Sequence, residues 1–196
     1  MKARALRRTV AVLTAGLAVL GLAGPGLSQA APTPGAMPSV GSSVDGQQRA
    51  AAIQQEMAWQ LAHTPGGRQV GTNKIVWDKM GVELTLPMPG DKTTMANCAY
   101  RLVCVFGDTD YNNGPDVQPW VLGFYDCGLF DLGQWGRRNQ ASSWDNNQTP
   151  GTVAWIYYYR DENNTQNGFI QIQSSIAPQQ DPTISWNDAV DLIRPC

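Results

Sequence analysis

Residues 98–114 read CAYRLVCVFGDTDYNNG, and this stretch decides the fold. Arg101 to Phe106 is a short apolar, β-branched and aromatic run of the kind that packs as a strand. Gly107 to Gly114 then supplies Asp, Asn and Gly, residues that turn a chain because they bond to their own backbone or tolerate positive φ. Downstream the alternation repeats. The runs Trp120 to Tyr125, Gly128 to Leu132, Ser142 to Trp144, Val153 to Tyr159 and Phe169 to Ile172 are separated by clusters of Asn, Asp, Gly and Pro. That spacing indicates an all-β sandwich or barrel. Asn167-Gly168 before Phe169 is a tight-turn signal.

Five of the seven tryptophans, Trp120, Trp135, Trp144, Trp155 and Trp186, fall in this half. Each ring can bury about 150–250 Å², and alternation within the strands places most of them in the core.

Upstream, Ala50, Ile53, Met57 and Leu61 recur at helical spacing from Asp45 to Ala62, with Ser43 or Asp45 placed to cap the start and Gly66-Gly67 to end the run. So narrow a stripe is expected to pack on its own domain. Lys74 to Trp77 and Val82 to Leu86, joined by Asp78-Lys79-Met80-Gly81, read as a β-hairpin. Residues 31–44, rich in Pro, Gly, Ser and Ala, read as a flexible leader. Residues 1–30 have the parts of an export signal: basic Lys2, Arg4, Arg7 and Arg8, an apolar run from Val10 to Leu22, and Ser28-Gln29-Ala30 as the cleavage tripeptide. The expected organisation is thus signal 1–30, leader 31–44, helix plus hairpin 45–92 and a β domain 93–196. The chain is expected to be secreted and extracellular, with no membrane association once the signal is cleaved.

Four of the fourteen basic residues leave with the signal, so ten remain against sixteen acidic ones, a formal charge of −6. Such a surface has no electrostatic reason to seek nucleic acid or anionic lipid. In an oxidising compartment Cys98, Cys104, Cys127 and Cys196 are expected to form disulfides, and four cysteines allow three pairings. Their spacing does not resemble a zinc site. The single histidine, His63, sits at the end of the helix, and no nucleophile-elbow sequence accompanies it. Acidic residues such as Asp108, Asp110, Asp161 and Glu162 fall in turns, where these residues favour turn geometry. The chain is expected to be non-catalytic and to need no cofactor.

Several of these motifs together resemble a known family. Cys98 to Phe106, Asp108 to Gly114, Cys127-Gly-Leu-Phe130 through Trp135-Gly136, and Asn139 to Asn147 are similar to peptidase inhibitor family thirty-six, secreted actinobacterial proteins of the streptomycete metalloproteinase-inhibitor type. The resemblance implies a βγ-crystallin-like double Greek-key sandwich, here preceded by the helix and hairpin. It implies the pairing of Cys98 with Cys104 and of Cys127 with Cys196. Within the first key, Phe106 and Tyr111 fit the aromatic corner of that fold, with Asn113 where a residue of positive φ belongs and Gly114 one place late; the second key is expected to be less regular. Many such proteins bind calcium through paired Asn/Asp and Ser/Thr. The corresponding positions here include Asn139 and Ser142 in one copy and Asn187, Asp188 and Asp191 in the other, with Arg138 in a leading place that disfavours a hard divalent cation.

The function implied is inhibition of an extracellular metalloprotease by a rigid loop that enters the cleft, acting as a monomer. Thermolysin-type enzymes require a large apolar residue just after the scissile bond. By composition Asn112 to Val121 meets this with Pro115, Val117, Pro119 and Val121, and Thr149 to Val153 is second. The alternative is a binding module for cell-wall or environmental saccharide, using exposed tryptophan and Tyr157-Tyr158-Tyr159 as stacking platforms.

Overall fold

A computed structural model of the chain describes residues 41–88, 98–113 and 119–196, with backbone only for 41–45. The signal, residues 31–40 of the leader, Pro115 and Val117 lie outside the described residues. No helix among those described is long and apolar enough to cross a membrane.

Helix α1 (Gly41–His63) carries the expected stripe, with Ile53 and Met57 buried. It starts earlier than expected, so residues 41–44 are helical and Ser43 and Asp45 lie inside it, with no proline between Gly41 and His63 to interrupt the helix. Gly66, at φ 89°, turns the chain after it. Strands β1 (Arg68–Val70), β2 (Lys74–Trp77) and β3 (Val82–Thr85) follow. The expected β2–β3 hairpin forms, with Trp77 opposite Val82.

Two four-strand units come next. The first is β4 (Val103–Phe106), β5 (Val121–Phe124), β6 (Phe130–Asp131) and β7 (Ser143–Asn146); the second is β8 (Val153–Tyr159), β9 (Phe169–Ile176), β10 (Gln179–Asp181) and β11 (Leu192–Arg194). The chain forms two antiparallel sheets, β1-β2-β3-β5-β4-β7-β10 and β6-β11-β8-β9. Each unit keeps its first, second and fourth strands together and lends its third to the other sheet: β6 pairs with β11, and β10 with β7. This is the expected mainly β, double Greek-key architecture with a helix and hairpin in front.

Backbone bonds reflect the internal two-fold. Ser142 donates its N–H to the Phe106 carbonyl at 2.9 Å and accepts from Ile184 at 2.8 Å, while Asp191 donates to the Tyr157 carbonyl at 2.9 Å and its own carbonyl accepts from Leu132 at 2.8 Å. The second unit is the less regular, its β8–β9 ladder shifting register between Ile156 and Tyr157.

The aromatic corner is present with one correction. Tyr111 packs edge-on against Phe106 at 5.5 Å. Positive φ falls at Asp110 (49°), Tyr111 (56°) and Asn112 (67°), whereas Asn113 has φ −93°. Three successive left-handed residues already reverse the chain, and side chains hold them there: Asn112 Oδ1 accepts the Asp108 N–H at 3.0 Å, and Ser143 Oγ accepts the Tyr111 N–H at 3.2 Å while donating to the Asp108 carbonyl at 2.7 Å. Asp and Asn bear this conformation better than most residues, and the tyrosine is carried by its bonds.

Strand β3 pairs with β5, so the hairpin extends the first sheet, and Ile53, Met57, Ile75 and Trp77 share one apolar core with Trp120, Trp135, Trp144 and Ile156. Both the helix-plus-hairpin segment and the β domain therefore share this core, and Cys98, Leu102, Cys104, Phe106 and Tyr111 form a second, smaller cluster. Trp155 is partly buried and Trp186 is exposed.

Candidate functional site

One end of the first sheet gathers the features that point outward. Strand β4 begins at Val103 opposite Phe124, where β5 ends; Phe124 also faces Val82, and Val103 faces Asn146. The turn at 78–81, the segment 98–102, the loop 125–129 and the turn at 147–152 therefore emerge side by side, since neighbouring strands lie only about 4.8 Å apart. Strand β8 starts and β9 ends at this same end, Val153 facing Ile176. Both disulfides, Cys98–Cys104 and Cys127–Cys196, sit here with the pairing the resemblance implied. So do four exposed large hydrophobic side chains: Tyr100 (64 % exposed), Leu129 (47 %), Tyr125 and Ile176.

The loop from Tyr125 to Phe130 is the most open of these segments. Tyr125 donates its N–H to the Gly81 carbonyl at 2.9 Å. Beyond it, no backbone N–H or carbonyl of Asp126, Cys127, Gly128 or Leu129 is hydrogen-bonded to another of the described residues. None of residues 125–130 has positive φ. The loop is thus a run of backbone unpaired among the described residues and fixed on both sides, by β5 and the Cys127–Cys196 bond before Gly128 and by β6 after Leu129. Gly81, at φ 64°, packs so closely under Asp126 that a Cβ would overlap the carboxylate. Burial raises the Tyr125 hydroxyl above its ordinary pKa, and the Asp78, Asp126 and Glu83 charges add to the effect.

The loops read from composition fare differently. Val121 lies inside β5, opposite Thr85 and Phe106, so it is held in the sheet at the far end of the molecule and cannot enter a cleft. Pro119 lines a groove of about 780 Å³ with Ile53, Glu56, Trp59, Leu86 and Arg137. At the second choice, Thr152 donates to the Thr149 carbonyl at 3.0 Å and Gly151 to the Ala177 carbonyl at 2.9 Å, a closed turn with engaged backbone. Sequence reasoning missed 125–129 because Gly128 to Leu132 scanned as a strand; Leu129 following Cys127-Gly128 was the available signal.

The calcium-type positions form bonds within the protein. Asn139 donates Nδ2 to Glu162 Oε1 at 2.9 Å, Ser142 Oγ donates to Asp188 Oδ1 at 3.1 Å, and Asn187 donates to Asp188 Oδ2 at 2.9 Å. Arg138 instead pairs with Asp131, which also accepts from the Tyr159 hydroxyl at 3.1 Å. Burial pushes the Asp131 carboxyl up, but the bonds from Arg138, the Gly133 N–H and Tyr159 outweigh it and hold it below the usual range. Among the described residues no three acidic, His or Cys side chains are grouped to hold a metal ion.

Asp191 is fully buried; its Oδ2 accepts the Tyr159 N–H at 2.7 Å, and its Oδ1 has no hydrogen-bond partner among the described residues. Burial raises its carboxyl above the ordinary value, the Tyr159 bond opposing. A raised carboxyl weakens the fold as pH climbs: below the ordinary pKa both folded and unfolded chains are protonated, and above it the unfolded chain ionises first. Asp191→Asn is expected to leave stability nearly unchanged at about pH 3 and to raise it by about 1 kcal/mol at about pH 7. Urea midpoints at the two pH values check this, and a lower midpoint for the variant at neutral pH would contradict it.

His63 stacks on Trp59 at 4.2 Å. Of the residues read as a saccharide platform, Tyr157 is buried, Tyr159 lies under the Arg138 guanidinium at 4.7 Å, and Trp155 lies under Arg194 at 5.6 Å. Trp186 remains exposed, leaning on Tyr158 at 5.0 Å.

No protein-family model and no curated protein matches the chain. Among solved structures it is similar to one described as "Evolution of the eye lens beta-gamma-crystallin domain fold", with 18 % identity over 57 % of this chain and 94 % of that one, at a TM-score of 0.34.

Proposed function

We propose that the chain is a secreted inhibitor of extracellular metalloproteases, and that the loop 125–130 is the segment that enters the cleft. The observation that carries this reading is the unpaired backbone from Asp126 to Leu129, closed by Cys127–Cys196 and displaying Leu129. A protease binds its substrate as an extended strand through main-chain hydrogen bonds, and a run with free N–H and carbonyl groups supplies them. Leu129 is the large apolar residue that such an enzyme takes after the scissile bond, which makes Gly128–Leu129 the bond presented. Cleavage there would release nothing. Gly128 stays attached through Cys127 to Cys196, and Leu129 stays attached through Phe130, which pairs with Ile193 in β6–β11. With both new ends held in place the cut bond can re-form, and the fixed loop has little entropy left to lose on binding.

The test is titration of the oxidised protein against a thermolysin-like metalloprotease, with a subtilisin-like serine protease alongside. Saturating inhibition near one-to-one, with the chain intact or nicked only at Gly128–Leu129, is expected. Leu129→Gly removes a side chain worth about 1.5–3 kcal/mol when buried, so it should weaken inhibition by about 10- to 100-fold without altering the fold. A folded sample that inhibits neither enzyme would sink the reading. The saccharide alternative has the exposed Trp186, packed on the half-buried Tyr158, in its favour; a shift of tryptophan fluorescence on adding oligosaccharide, with no inhibition, would select it.

A further inference from the structure

The short ring closed by Cys98–Cys104 is built for contact. Tyr100 stands at its tip, 64 % exposed, and Arg101 beside it is exposed at φ 77°. Left-handed backbone disfavours any residue with a Cβ, and folding alone would be better served here by glycine. The conformation is imposed by the ring and by Asn147: Arg101 donates its N–H to the Asn147 carbonyl at 2.8 Å, Asn147 donates its own N–H to the Leu102 carbonyl at 3.0 Å, and Asn147 Nδ2 donates to the Cys98 carbonyl at 2.8 Å. Strain held in this way, at an exposed position that retains a long cationic side chain, points to a use for that side chain. Among the described residues no carboxylate pairs with Arg101. Tyrosine and arginine are also, with tryptophan, among the residues enriched as anchors of protein interfaces.

The ring adjoins the loop 125–129, because β4 starts where β5 ends. We infer that Tyr100 and Arg101 form a second contact on the inhibited protease, outside its cleft, against a surface patch bearing carboxylates. This rests on the inhibitor reading above and extends it: Leu129 occupies the cleft, Tyr100 packs on the adjoining surface, and Arg101 selects for acidic partners and speeds encounter.

The experiment measures association and dissociation rates with the inhibited metalloprotease for the wild-type chain and for Arg101→Gly, Arg101→Glu and Tyr100→Ala. Arg101→Gly suits the left-handed backbone, so its melting temperature should equal or exceed that of the wild type. At low salt its association rate should fall by about 3- to 10-fold and that of Arg101→Glu by about 30-fold or more, with both differences closing at about 0.5 M salt. Tyr100→Ala should raise the dissociation rate by about 10- to 100-fold. Wild-type inhibition with unchanged rates for Arg101→Gly and Tyr100→Ala, or faster association by Arg101→Glu, would overturn the second contact while leaving the Leu129 reading intact. No inhibition by the folded wild type would remove both.

Discussion

Replacing Cys127 and Cys196 together by alanine is expected to lower the unfolding free energy by about 4 kcal/mol, whereas the same change at Cys98 and Cys104 should cost about 2 kcal/mol. The difference follows from loop length. The first bond spans 69 residues and the second 6, and a cross-link removes more freedom from the unfolded chain the longer the loop it closes. The 69-residue bond also carries function in the proposed mechanism, because after a cut at Gly128–Leu129 it is the covalent link between the fragment ending at Gly128 and the fragment beginning at Leu129. The double variant should therefore change from a slowly cut inhibitor into an ordinary substrate, with inhibition decaying as the loop is cleaved. Guanidinium unfolding of the oxidised proteins and a time course of residual protease activity check the two statements separately. Midpoints that match the wild type would refute the first, and durable inhibition by the variant would refute the second.

What could be read from the residues was the content of each strand, and what could not was its neighbours. The six runs singled out from Arg101 to Ile172 all contain strands, because aromatic and β-branched side chains that face a core mark themselves. Strand β10 escaped because Gln179, Gln180 and Asp181 have no apolar member; it is held at a sheet edge by pairing with β7. Strand β11 escaped because Leu192 to Arg194 is three residues long, too short for alternation to show. Strand exchange is equally invisible, since the pairing of Asp131 with Leu192 joins residues far apart in the chain.

The same blindness misplaced the functional loop. Composition singles out Val121 as an apolar residue near turns and puts Leu129 inside the expected strand Gly128 to Leu132. Register separates them, setting Val121 between β3 and β4 and leaving Leu129 on unpaired backbone. In the aromatic corner the sequence pattern found Phe106 and Tyr111, but the left-handed residues proved to be 110–112, where side-chain bonds from Asn112 and Ser143 decide the geometry.

Trp135→Ala is expected to destabilise the protein by about 3–5 kcal/mol, the range for removing a buried aromatic side chain and leaving its cavity. The side chain is fully buried, with its ring edge-on to Trp77 at 5.9 Å and to Phe124 at 6.0 Å. It thus joins the hairpin to the first Greek key. Its backbone is a junction too: the Trp135 carbonyl accepts Gln60 Nε2 at 2.8 Å, the neighbouring Gln134 carbonyl accepts Thr64 Oγ1 at 2.6 Å, and Trp77 Nε1 donates to the Thr64 carbonyl at 2.9 Å. Loss of the ring should loosen the end of α1 as well as the core, so amide exchange in α1 and β2 should accelerate more than in β8. Trp135→Phe is the informative partner. The indole Nε1 is buried and has no hydrogen-bond partner among the described residues, so the phenyl ring sheds an unsatisfied donor while forfeiting part of the volume. Its cost should be about half that of alanine or less. If the two variants prove equally destabilised in urea, the indole N–H makes a bond that matters and cavity size is not the controlling quantity; if exchange rises uniformly over the chain, the helix and hairpin are coupled to the Greek keys through more than this one ring.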